Sequence, residues 1–214
     1  MSLGDGVLKL AILLVSVILH ENAHGLVALS LGDQTAKASG RITLNPVKHL
    51  DPVGSVILPL LLFFTAGGRM FGYAKPVPVN PHNLRGKDKW GFAAVALAGP
   101  VCNMVLVVIA AFFLKHQAIG FDPSGNPVGG AVAKALVFAF ELNLLLAAFN
   151  LVPIPPLDGS RLIRPFLGNE GRRLLDRVEP FGFVILLLMI VWLNEPLFRL
   201  VGIIESGLLR VLPI

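Results

Sequence analysis

His20, Glu21 and His24 form the pattern His-Glu-x-x-His, whose residue types and spacing suit the activation of water by a divalent metal. On a helix, residues four apart lie about 40° apart around the axis and roughly 6 Å along it, so both imidazoles can reach one ion. Glu21 follows its histidine directly, which sets its carboxylate beside the open coordination position, where it can take a proton from water. The predicted chemistry is hydrolysis at a single catalytic zinc. Catalytic zinc usually has three protein ligands, so a distant Asp, Glu or His must complete the set. Asp158 is the best candidate, because it closes the segment from Asn150 to Gly159, where Pro153, Pro155 and Pro156 end a helix and leave backbone groups without intrahelical partners. Asn143 and Asn150 share one helical face within about 20°. Asn150 is the nearer to the metal and a candidate donor to the developing oxyanion of a scissile carbonyl. The competing reading for both is a hydrogen bond between helices.

The metal motif lies inside the apolar run from Val7 to Leu31. Three ionisable groups in one buried turn are costly without a metal or a partner network. With 55% hydrophobic and 14% charged residues among 214, the chain reads as an all-α polytopic membrane protein, a single membrane-embedded domain over 1–214. Its net charge of +5 does not signal nucleic acid, since the Lys and Arg cluster beside apolar runs as topology signals facing anionic headgroups. The single cysteine, Cys102, excludes an internal disulfide framework. The first apolar run carries the histidines and lacks the features of a cleaved leader, so it stays in the mature protein.

About four spans are predicted: Val7 to Leu31, Trp90 to Leu114, Ala131 to Val152, and Phe181 to Ile204, the last interrupted at Asn194-Glu195-Pro196. Val53 to Ala66 is shorter and contains Pro59, which suits a re-entrant segment. If the first helix runs inward, Lys37, Arg41, Lys48, Lys75, Arg85, Lys87 and Lys89 share one cytoplasmic stretch. The loop from His116 to Gly130, without Lys or Arg, then faces outward, and Arg161, Arg164, Arg172, Arg173 and Arg177 return inside. Both ligand sets would then lie toward the cytoplasmic ends of parallel helices.

These residues resemble the site-2 protease family of intramembrane zinc metalloproteases. The resemblance rests on His20 to His24, on Leu97-Ala98-Gly99-Pro100 to Asn103, and on Phe149 to Pro153 with Pro156-Leu157-Asp158-Gly159. It implies His20, His24 and Asp158 as ligands of one Zn2+, Glu21 as general base and acid, and Asn150 as a stabiliser of substrate or transition state. Leu44-Asn45-Pro46, His49, Asp51-Pro52 and Lys75 to Pro81 look like the compact bacterial branch without PDZ or CBS domains. Implied partners are transmembrane segments of membrane-protein substrates, the lipid bilayer, and a homo-oligomer or adaptor protein. The implied location is the bacterial cytoplasmic membrane, with the active site toward the cytoplasm.

A transmembrane substrate helix hides its carbonyls and must unwind before attack, so strand-like segments near the site are expected, at Ala38 to Thr43 and Tyr73 to Val79. Connecting loops are the alternative. His49, in a Pro-bounded loop, is expected to satisfy a backbone group rather than bind metal. Glu141 lies about 180° around the helix from Asn150 and needs a partner away from the zinc. Two competing functions use the same residues: a transporter with an ion site built from Asn143, Asn150 and Glu141, and a proteolytically silent zinc protein.

Overall fold

The computed structural model describes residues 3–51, 75–85, 89–116, 120–121, 127–128, 130–182, 184–185 and 188. The first helix, α1 (Leu3–Ser30), contains no proline and stops at a glycine. Gly32 adopts φ +100, and the Gly32 and Asp33 amides bond the Leu29 and Ala28 carbonyls at 3.0 and 2.9 Å. This pairing satisfies carbonyls at the helix end that would otherwise lack partners. The short α2 (Thr35–Ala38) ends the same way. Gly40 has φ +63, and the Gly40 and Arg41 amides bond Lys37 and Ala36 at 3.0 and 2.9 Å.

The strand expected over Ala38 to Thr43 is therefore corrected. Its first residue closes a helix, and a left-handed Gly40 reverses the chain before any extended run begins. Residues 75–80 carry no strand pairing; Lys75, Val77 and Asn80 each precede a proline, which favours extended backbone there, and Asn80 adopts it at φ -102 and ψ 107. Among the described residues the only strands are β1 (Gly120–Phe121) and β2 (Pro127–Val128), a minimal antiparallel pair between the next two helices.

Those helices are α3 (Lys89–His116) and α4 (Ala131–Asn150). Together with α1 they are long and apolar enough to cross a membrane, as expected for the first three spans. The re-entrant segment at Val53 to Ala66 and nearly all of the fourth span lie outside the described residues, as do Tyr73 and Ala74.

Small residues let the three helices approach closely. Val107, Ala110, Ala111 and Leu114 of α3 pack on Phe140 and Leu144 of α4, and Ala28 of α1 packs with Val95 of α3 and Leu84. Val101, Val105, Val108, Ile109 and Phe112 stay exposed on the outer face of α3, where a bilayer would cover them. Helices α1 and α4 run parallel: Lys9 sits over the Phe138 ring, and Ser16 meets Asn143 further along both. After α4 the chain turns through 151–157 into α5 (Asp158–Ile163) and then α6 (Asn169–Val178).

Candidate metal centre

The helical spacing stacks His20 on His24, with their Nε2 atoms 3.1 Å apart. Asp158 Oδ2 lies 3.2 Å from each of these nitrogens. All three residues are buried, and among the described residues they form the group able to hold a metal. Ligands about 2.0–2.1 Å from a tetrahedral zinc lie roughly 3.3 Å from one another. The three separations match that triangle, so the donor set fits the ion.

Two of the three donor residues, His24 and Asp158, are fixed by other parts of the fold. His24 donates its Nδ1–H to the Val95 carbonyl of α3 at 2.7 Å, which leaves the Nε2 lone pair for a metal. Asn22, on the same turn of α1, donates to the Ile18 carbonyl and to the Thr43 carbonyl, both at 2.8 Å. Asp158 is the first residue of α5. The turn ahead of it is closed by bonds from Val152 N to Phe149 O at 3.1 Å and from Leu157 N to Ile154 O at 3.0 Å. Burial alone would raise the Asp158 pKa, but when His20 and His24 carry protons on Nε2, as they can without an ion, their hydrogen bonds and charge hold it well below the ordinary carboxylate range.

Two glycines make this approach feasible. A Cβ on Gly99 of α3 would stand 2.5 Å from Nε2 of both His20 and His24, so the α3 backbone forms one wall of the centre. A Cβ on Gly159 would stand 2.3 Å from the Leu151 carbonyl oxygen, so the turn carrying Asp158 closes only over glycine.

Glu21 is half-buried, and its Oε2 accepts the Val77 amide at 2.8 Å. Asn150 is also half-buried and donates to Leu146 O at 2.9 Å, back onto its own helix. Asn143 is buried and donates to Ser16 Oγ at 3.0 Å and to Ala139 O at 2.8 Å, the interhelical role weighed for it. His49 sits 2.9 Å from the Thr43 carbonyl through Nε2, the backbone role expected. Glu141 is exposed whereas Asn143 faces α1, so an ion site built from both has no common face.

Sequence reasoning did not assign Gly99 or Val95 to the site, and it placed Val77 there only within the segment Tyr73 to Val79. Gly99 appeared only as part of a resembling segment. Backbone donors and acceptors such as Val77 N and Val95 O leave no mark on residue type.

The profile of peptidase family M50 matches residues 118–193. "Putative zinc metalloprotease YwhC" of Bacillus subtilis is 39% identical over 180 residues, covering 84% of this chain and 78% of the relative. "Putative zinc metalloprotease Rip2" of Mycolicibacterium smegmatis is 32% identical over 200 residues, covering 92% of this chain and 73% of that protein. Its namesake in Mycobacterium tuberculosis is 32% identical over 186 residues, with 87% and 67% covered. No solved structure matches the chain. The chain belongs to peptidase family M50, the site-2 protease family. It is an integral membrane zinc metallopeptidase of that family.

Proposed function

We propose that this single domain cleaves peptide bonds within or near transmembrane segments of other membrane proteins, with His20, His24 and Asp158 as its zinc ligands. The observation that carries the reading is the convergence of three buried donor atoms, 3.1–3.2 Å apart, with Glu21 directly after His20 on a membrane-length helix. Zinc held there supplies Lewis acidity toward water and toward a peptide carbonyl. Glu21 takes a proton from the attacking water as the water oxygen bonds the carbonyl carbon. It returns that proton to the amine nitrogen as the carbon–nitrogen bond breaks. Asn150, once released from Leu146 O, donates its amide to the developing oxyanion. The buried helices around the site restrict bulk water, which strengthens each of these interactions.

A substrate helix must unwind to expose its carbonyl. The extended residues 75–80, which reach Glu21 through Val77, lie where an unwound segment would pass. The basic stretches that flank the spans support a bacterial cytoplasmic membrane location, with the centre toward the cytoplasm. Substrate choice then falls to the membrane core, to a second copy of the chain or to an adaptor.

Co-expression with a panel of single-span membrane proteins tests the proposal. The wild type generates new fragments, while Glu21→Gln gives none and still holds about one zinc per chain. Identical fragments from the two proteins would refute it.

A further inference from the structure

Resting on that reading, we infer that Asp33 is a positioning residue for Glu21, acting at a distance through the extended segment 75–80. The Glu21 side chain has several rotatable bonds, so its position as a base depends on what its carboxylate accepts. Among the described residues the donor is a backbone amide on another segment, Val77 N at 2.8 Å. The brace on Glu21 is therefore only as firm as residues 75–80.

Among the described residues no strand pairs with that segment. Pro76 and Pro78 lack amide hydrogens, so the edge they face can offer only carbonyls. Among the described residues its holding bonds fall at its two ends. At the first, Lys75 N donates to His49 O at 2.9 Å, and Arg41 Nη2 donates to Lys75 O at 2.7 Å and Pro76 O at 3.3 Å. At the second, Asn80 N donates to Asp33 Oδ2 at 2.7 Å, and Asn83 Nδ2 donates to Asp33 Oδ1 at 3.1 Å. Between the ends, the Val77 side chain is buried against Gly25, where a Cβ would meet Val77 Cγ1 at 3.1 Å.

Asp33 is suited to this work because it is itself held on several sides. It is wholly buried, its amide closes the end of α1, and Oδ1 also accepts from Thr35 N at 3.0 Å and Thr35 Oγ1 at 2.5 Å. Hydrogen bonds to an ionised carboxylate are shorter and stronger than neutral ones. Removing the acceptor strands the Asn80 and Asn83 donors together. Nothing in this chain of contacts includes a metal ligand, although Asp33 stands about 14 Å of helix or more beyond Glu21.

The test uses the full-length chain in detergent with zinc bound, comparing wild type, Asp33→Asn, Asn83→Ala and Glu21→Ala. Hydrogen exchange is read on a peptide spanning 75–80, whose only amides are those of Lys75, Val77, Val79 and Asn80. Exchange should quicken in Glu21→Ala and in Asp33→Asn while zinc content stays at the wild-type level. On a cleavable single-span substrate, Asp33→Asn should lower kcat by roughly 10- to 100-fold, with KM within about twofold. Asn83→Ala should shift kcat the same way by less, and it decides the matter if Asp33→Asn loses zinc or helix content. Wild-type exchange and kcat in the folded variants would overturn the inference, as would a rise in KM alone. Cleavage surviving in Glu21→Gln would instead overturn the catalytic reading, leaving the exchange result to judge the brace separately.

Discussion

Gly99→Ala is the sharpest perturbation of the proposed centre, because it adds one methyl group and changes no ligand. The new Cβ would stand 2.5 Å from His20 Cε1, His20 Nε2 and His24 Nε2, whereas ordinary contact begins at 3.4 Å. Both rings, or the α3 backbone, must therefore yield by about 0.9 Å. His24 cannot turn freely, since its Nδ1 is bonded to Val95 O at 2.7 Å on the same helix as the intruding methyl. Overpacking of this kind costs about 1–3 kcal/mol. If that cost falls on the bound state, zinc affinity drops roughly 5- to 150-fold. Competition against a chromophoric chelator measures it directly. Gly168→Ala serves as the control, since nothing lies within 4 Å of a Cβ there. Wild-type zinc affinity in Gly99→Ala, with unchanged thermal stability of the metal-free protein, would refute the placement of α3 against the ligands.

Gly159→Ala should be more damaging than Gly99→Ala to the unloaded protein, because its Cβ meets backbone at 2.3 Å rather than side chains; melting curves in chelator would show the larger fall. Asn143→Ala removes the bond to Ser16 and should cost about 0.6–2 kcal/mol of bundle stability, measured by unfolding in mixed micelles, with zinc affinity little changed. Burial opposes ionisation of Asp33, but bonds from Thr35, Asn80 and Asn83 hold its pKa below the ordinary 3.8. Its stabilising effect is thus complete above that ordinary value and fades as pH falls through the lower folded value. Acid unfolding of the wild type should accordingly steepen below about pH 4 relative to Asp33→Asn, and parallel curves would count against the assignment.

The parts of the site that one helix encodes were legible in the sequence. His20, Glu21 and His24 are ordered by helical geometry alone, and the apolar runs marked α1, α3 and α4 within a few residues. Asp158 was reachable because proline stops a helix, and a carboxylate just past such a stop can turn back toward a neighbouring span. What the sequence could not disclose depends on the close approach of separate backbones. Gly99 reads as a helix-weakening residue until its lack of a side chain is seen to admit two imidazoles. Asp33 and Asn80 read as turn formers, and only their meeting across 47 positions reveals an anchor. The strand expected over 38–43 failed for a local reason: the paired amides at Gly40 and Arg41 finish a helix there, and that short-range chemistry outweighed the β-branched Ile42 and Thr43.

The Val95 carbonyl that grips His24 belongs to α3, the histidines to α1, and the carboxylate to the turn that follows α4. An ion captured among them would act as a rivet through the three described helices that are long enough to cross a membrane. Its binding free energy then becomes bundle cohesion, growing with the logarithm of free zinc above the dissociation constant. A cell short of zinc would hold a peptidase that is loosened as well as idle.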